Sequence, residues 1–136
     1  MRYMVTLKVT NRPDTLPPAE LMEAIMKLGE EATKAGALLD QGGLAPSAMG
    51  ASVQVSGGKL TVTDGPFAEA KEVVGGYWVI QVKSKEEAVQ WAMRCPAGEN
   101  EVIEVRQVME FTDFPPDVQK LEDKFPDLKE QTKPTR

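Results

Sequence analysis

Histidine is absent from these 136 residues, cysteine occurs once, and aromatic side chains make up only 6% of the chain. Without histidine, no side chain ordinarily titrates near neutrality to serve as a general base, and the commonest metal and haem ligand is missing. Ser47 cannot belong to a serine triad. A metal site would have to be built from carboxylates and carbonyls. No calcium-loop spacing of acidic residues occurs, so neither a metal nor a cofactor is expected. The lone Cys95 allows no intrachain disulfide, and its place before Pro96 near a helix end marks it as a small buried apolar residue.

Positive charge is also in deficit. Sixteen Lys and Arg stand against 21 Asp and Glu, a net charge of -5, which leaves no electrostatic footprint for nucleic acid. No apolar run approaches the roughly 18 residues of a membrane span, and "MRYMVTLKVT" alternates where a signal peptide would be continuously apolar. No membrane association and a cytoplasmic location are the expectation. The glycines form neither a Walker pattern nor G-x-G-x-x-G, so they make no case for a nucleotide.

What remains is the composition of an ordinary globular protein, 41% hydrophobic and 27% charged, long enough for one core. Residues 1–110 are expected to form one domain, and 111–136 a charged C-terminal extension with a short helix over 116–124 and a loose end over the last ten residues. Residues 2–9 alternate as a half-buried strand. A helix is predicted from Pro18 to Ala35, with Leu21, Ile25, Leu28 and Ala32 inside, widened by Met22 and Met26. A short strand is expected near Ala37–Leu39. "SVQVSGGKLTVT" is a hairpin turning on Gly57-Gly58. "GGYWVIQV" is a central strand, Ser84 and Glu87 open a second helix as a capping box, and "EVIEVRQVM" is the last strand. Strand, helix, strand, hairpin, strand, helix, strand is a split β-α-β order. The fold class is α+β, ferredoxin-like, with two helices on one face of an antiparallel sheet.

If the helices cover Tyr3, Val5, Leu7, Trp78, Ile80, Val82, Ile103 and Val105, the opposite face carries Met4, Thr6, Lys8, Tyr77, Val79, Gln81, Glu104, Arg106 and Val108. That mixture is too apolar to lie bare and too polar for a dry core. A homodimer whose two sheets enclose a pocket for a small organic molecule satisfies both conditions, with Thr6, Tyr77, Gln81, Glu104 and Arg106 as ligand-binding candidates. The alternative is that Glu104 and Arg106 merely pair across strands.

In "TVTDGPFAEAKEVVGGYW", Thr63-Asp64-Gly65-Pro66 terminates a strand. The same geometry would hold the Asp64 carboxylate at a sheet end, able to orient a ligand or act as a general base if buried. Glu69, Lys71 and Glu72 follow closely. They form either a solvated loop or a pocket rim, with Lys71 a further ligand-binding candidate.

The words "GLAPS", "KLTVTDGPFAEAKEVVGGYWVI" and "EEAVQWAMRCP" closely resemble the YCII-related family, and within it the DGPF branch, with a likeness extending over residues 2–110. The resemblance implies a ferredoxin-like domain forming homodimers of the dimeric α/β-barrel kind. Some members of the wider family are suspected of chemistry through a histidine and aspartate pair. Here Asp64 matches the motif aspartate and the histidine is missing. Resemblance to proteins linked with extracytoplasmic-function sigma factors implies, as the alternative to ligand binding, a regulatory protein that docks on a protein partner through its C-terminal segment. Whether the chain is an enzyme is left open, with a cofactor-free activity suggested by fold analogy alone.

Overall fold

Alternation along the first strand is realised as the sequence leads one to expect. In a computed structural model describing residues 1–10, 17–65, 72–99 and 101–131, β1 runs over Arg2–Thr10 with Tyr3 and Val5 buried on one side. The other strands are β2 (Leu38–Gly43), β3 (Ala51–Ser56), β4 (Lys59–Asp64), β5 (Glu72–Gln81) and β6 (Val102–Gln107). The helices are α1 (Ala19–Lys34), α2 (Lys85–Met93), α3 (Pro116–Gln119) and α4 (Pro126–Gln131). Four strands form one sheet in the order β2-β5-β1-β6, every neighbouring pair antiparallel, while among the described residues β3 and β4 pair only with each other. With the hairpin set aside, this is the ferredoxin-like order, β1 and β5 being central.

The core lies between this sheet and α1 and α2. Tyr3, Val5, Trp78, Ile80 and Val82 meet Leu28 of α1 and Ala88 and Ala92 of α2, with Ile103, Val105, Trp91 and Cys95 packed at the margin. Alanines at the helix contacts let the backbones approach closely, so the large side chains come from the strands. Burial pushes the Cys95 thiol up to about 11, in keeping with its reading as a packing residue. The helix ends obey local chemistry. Ser84 Oγ accepts the Glu87 N–H at 3.2 Å, whereas Glu87 itself reaches past the cap to accept the Lys83 N–H at 3.0 Å. Gly57 and Gly58 take φ of 58° and 77°, the double left-handed turn that a two-residue hairpin needs.

Three expectations need correction. Met22 and Met26 do not widen the core; they are 38% and 63% exposed, because α1 overhangs the edge strand β2. There the Gln41 side chain lies over Gly29, where a Cβ would stand only 2.8 Å from Gln41 Oε1. Strand β2 is longer than expected: its polar and glycine residues are tolerated at an edge, with a bulge between Leu38 and Asp40. At the C-terminus, α3 passes into a 3-10 turn over Lys120–Lys124, and Pro126–Gln131 is helical where a loose end was expected.

Core and overhang should therefore separate in energy. Ile80→Ala, at a fully buried side chain, is expected to lose about 3 kcal/mol in urea denaturation, and Met26→Ala less than about 0.5 kcal/mol.

Candidate functional site

The face of the sheet away from the helices is assembled by strand register. Met4 stands opposite Val79 on one side and Arg106 on the other, and Thr6 opposite Tyr77 and Glu104. Gln81, two residues beyond Val79, faces the same way and lies opposite Arg2. Five of the candidates, Thr6, Tyr77, Gln81, Glu104 and Arg106, thus share one surface. Tyr77 is anchored there because β2 offers it a glycine: a Cβ on Gly42 would lie 2.9 Å from the Tyr77 hydroxyl oxygen. The centre of the face is formed by Met4, Val79 and the Tyr77 ring, with polar groups around it.

The charged groups on and beside this face are largely paired, Arg106 excepted. Lys8 Nζ donates to Glu104 Oε2 at 2.9 Å, a pairing of β1 with β6. The hydrogen bond from Lys8, then its charge, then the charge of Arg106 hold the Glu104 carboxyl below the ordinary carboxylate range. Arg2 grips Glu110 with two bonds of 2.8 and 3.1 Å, which raises the Arg2 guanidinium further above its already high value. Glu104 therefore pairs with Lys8 rather than directly with Arg106. The Arg106 side chain is exposed, and its guanidinium makes no hydrogen bond to any described residue. Lys8 was expected on this face but not as a binding candidate, and Arg2 and Glu110 were missed as members of the site. Alternation places Lys8 and Arg2 on the face, but their pairing depends on which strands, about a hundred residues apart, lie side by side.

Asp64 is not brought to this surface by any bond among the described residues. It ends β4 opposite Ala51, exposed, in the hairpin. The burial that a general-base role requires is not present in a single chain. Its neighbour has a clear steric task. Gly65 donates its N–H to Gly50 O at 2.8 Å, and a Cβ there would fall 1.6 Å from Ser47 O. The Asp-Gly step closes the base of the hairpin against the 3-10 turn Ser47–Met49, a contact that any side chain would break. Lys71 and Glu69 lie outside the described residues. Among the described residues no three Cys, Asp or Glu side chains gather to hold a metal, and no helix is long and apolar enough to cross a membrane.

An antiparallel sheet with helices on one side and an open face of mixed polarity on the other defines an α+β domain of the ferredoxin-like class. More narrowly, the chain belongs to the YCII-related domain family, whose model matches residues 1–112. It is also similar to an uncharacterized protein of Rhizobium meliloti (strain 1021), 33% identical over 72 residues, a match covering 53% of this chain and 58% of that relative. The chain thus spans little more than half the length of that relative.

Two outcomes test this geometry. Gly65→Ala is expected to lower stability by at least about 2 kcal/mol in thermal unfolding, since the clash is with backbone. For Glu104, whose folded pKa is depressed, the stabilisation is present at neutral pH and is lost as pH falls through the lowered value. Lys8→Gln removes the largest cause, so the Glu104 titration followed by carboxyl NMR should move up towards the ordinary carboxylate value, and stability should fall less steeply on acidification.

Proposed function

We propose that the protein is a cytoplasmic homodimer of the DGPF branch, in which the open faces of two sheets oppose each other and enclose a cleft for a small organic anion. The observation carrying this reading is the state of the charges on that face. Lys8 and Arg2 are already bonded to Glu104 and Glu110, whereas the exposed Arg106 guanidinium has no hydrogen-bonding group of its own among the described residues. A planar cation beside the apolar surface of Met4 and Val79 suits a ligand with a carboxylate or similar anionic head and an apolar body. Tyr77, Thr6 and Gln81 supply hydroxyl and amide groups to orient it. Closure by a second copy would raise the strength of each polar contact by excluding water. The sequence words around Asp64-Gly65 support the branch, and within it Asp64 serves this chain as the end of a hairpin.

One feature favours a second reading, a regulatory protein that binds another protein. The C-terminal segment exposes Leu121, Phe125 and Leu128 around a shallow apolar hollow of ≈ 200 Å³. Exposed side chains of this kind suit a docking arm.

Native mass spectrometry of gently purified protein separates the two. The ligand reading expects a dimer that releases a small organic acid on denaturation, with Arg106→Ala binding that acid at least about tenfold more weakly and Asp64→Ala binding it unchanged. An empty dimer would favour the docking reading, and an Arg106→Ala protein that binds as well as wild type would overturn the role of the guanidinium.

A further inference from the structure

The hairpin of β3 and β4 has two faces of opposite character. Register sets Val53 against Val62 and Val55 against Leu60, so four aliphatic side chains share one face, while Ser52, Gln54, Ser56, Lys59, Thr61 and Thr63 share the other. Such separation is the pattern of a strand pair buried on one side. Yet in the single chain these four residues are 65%, 66%, 68% and 72% exposed. They form a patch on the order of 400 Å², a size at which exposure marks a contact surface. A two-stranded hairpin is at best marginally stable by itself. Its apolar face needs a cover that is always present.

Among the described residues none covers it. The segments outside the described residues, 11–16, 66–71, 100 and 132–136, contain only two large apolar side chains, Leu16 and Phe67. The one charge on that face of the hairpin is Asp64, opposite Ala51 at its base, so the four aliphatic side chains themselves form an uncharged surface that offers little with which to select a different protein. The root of the hairpin does stand close to the open sheet face. The hairpin leaves the sheet at the β2–β5 edge, where Leu44 N–H donates to Gly75 O at 2.9 Å, close to the Gly42–Tyr77 pair. Six-residue strands reach roughly 20 Å from that root. A stable pair needs about 800 Å² from each member, which the partly polar open face supplies more readily with the hairpin patch added to it.

We propose that the β3–β4 hairpin is an intersubunit arm that lays Val53, Val55, Leu60 and Val62 on a second copy of this chain. The inference rests on the homodimer described above and adds the element that grips it.

Sedimentation equilibrium on the full chain tests the arm. Wild type should be dimeric, and Val53→Glu with Val62→Glu should weaken association at least about 100-fold, the effect of placing two carboxylates in an apolar contact. Gln54→Glu with Thr61→Glu, an opposed pair on the polar face of the same hairpin, should leave association unchanged. Met4→Glu reports on the sheet face separately. If Met4→Glu dissociates the dimer and the arm variant does not, the arm is overturned and the sheet reading stands; the reverse sinks the sheet reading and supports the arm. A second readout needs no variant. Amide exchange over residues 53–62 of wild type should slow as protein concentration rises through the dissociation constant. Exchange independent of concentration, or a wild type monomeric at every concentration, would overturn the inference.

Discussion

The side-chain alternation of β1 divides the molecule. This strand lies between β5 and β6, so Tyr3–Lys8 are paired on both sides, and a shift of one position would exchange the two faces of the sheet. With Tyr3 and Val5 turned towards α1 and α2, Met4 and Thr6 must turn away, and they bring Val79, Tyr77, Glu104 and Arg106 with them through register. Core and candidate site are therefore two sides of one constraint. The packing that stabilises the helices also orders the open face.

That face is shaped as much by pairing as by exposure. Lys8–Glu104 joins β1 to β6, and Arg2–Glu110 joins β1 to the segment after β6. Partly exposed ion pairs of this kind contribute little to stability, so their main effect is on which charges are left to meet a ligand or a second subunit. Arg106 is the group so distinguished. Asp64, the most conspicuous carboxylate of the sequence motif, is separated from it in role: the adjacent glycine seats a hairpin whose apolar side points away from the chain's own core.

Much of this was readable before any coordinates. Period-two alternation in β1 and β5 identified which residues face the helices, and Tyr3, Val5, Trp78, Ile80 and Val82 are all buried. Gly57-Gly58 announced the hairpin because few other residues adopt its turn. Other features were hidden for identifiable reasons. Apolar periodicity tells which way a helix faces but not how far its neighbour extends, so Met22 and Met26 could not be recognised as overhanging the sheet edge. The Lys8–Glu104 and Arg2–Glu110 pairs depend on strand neighbours distant in sequence. The isolation of Asp64 depends on the hairpin forming a sheet of its own, and alternation is the same whether a strand joins the main sheet or not. Lys71 lies outside the described residues.

The account turns on the open face being covered in solution by a second copy. Methionine provides an internal pair of probes, since Met4 on that face and Met26 on the outside of α1 are both accessible in the single chain, at 38% and 63%. Brief hydroxyl-radical oxidation at rising protein concentration, read by peptide mass spectrometry, compares them within one sample. Met4 is expected to become protected as the dimer forms while Met26 oxidises at a constant rate. Oxidation of Met4 that stays in proportion to its single-chain exposure at every concentration would contradict the account.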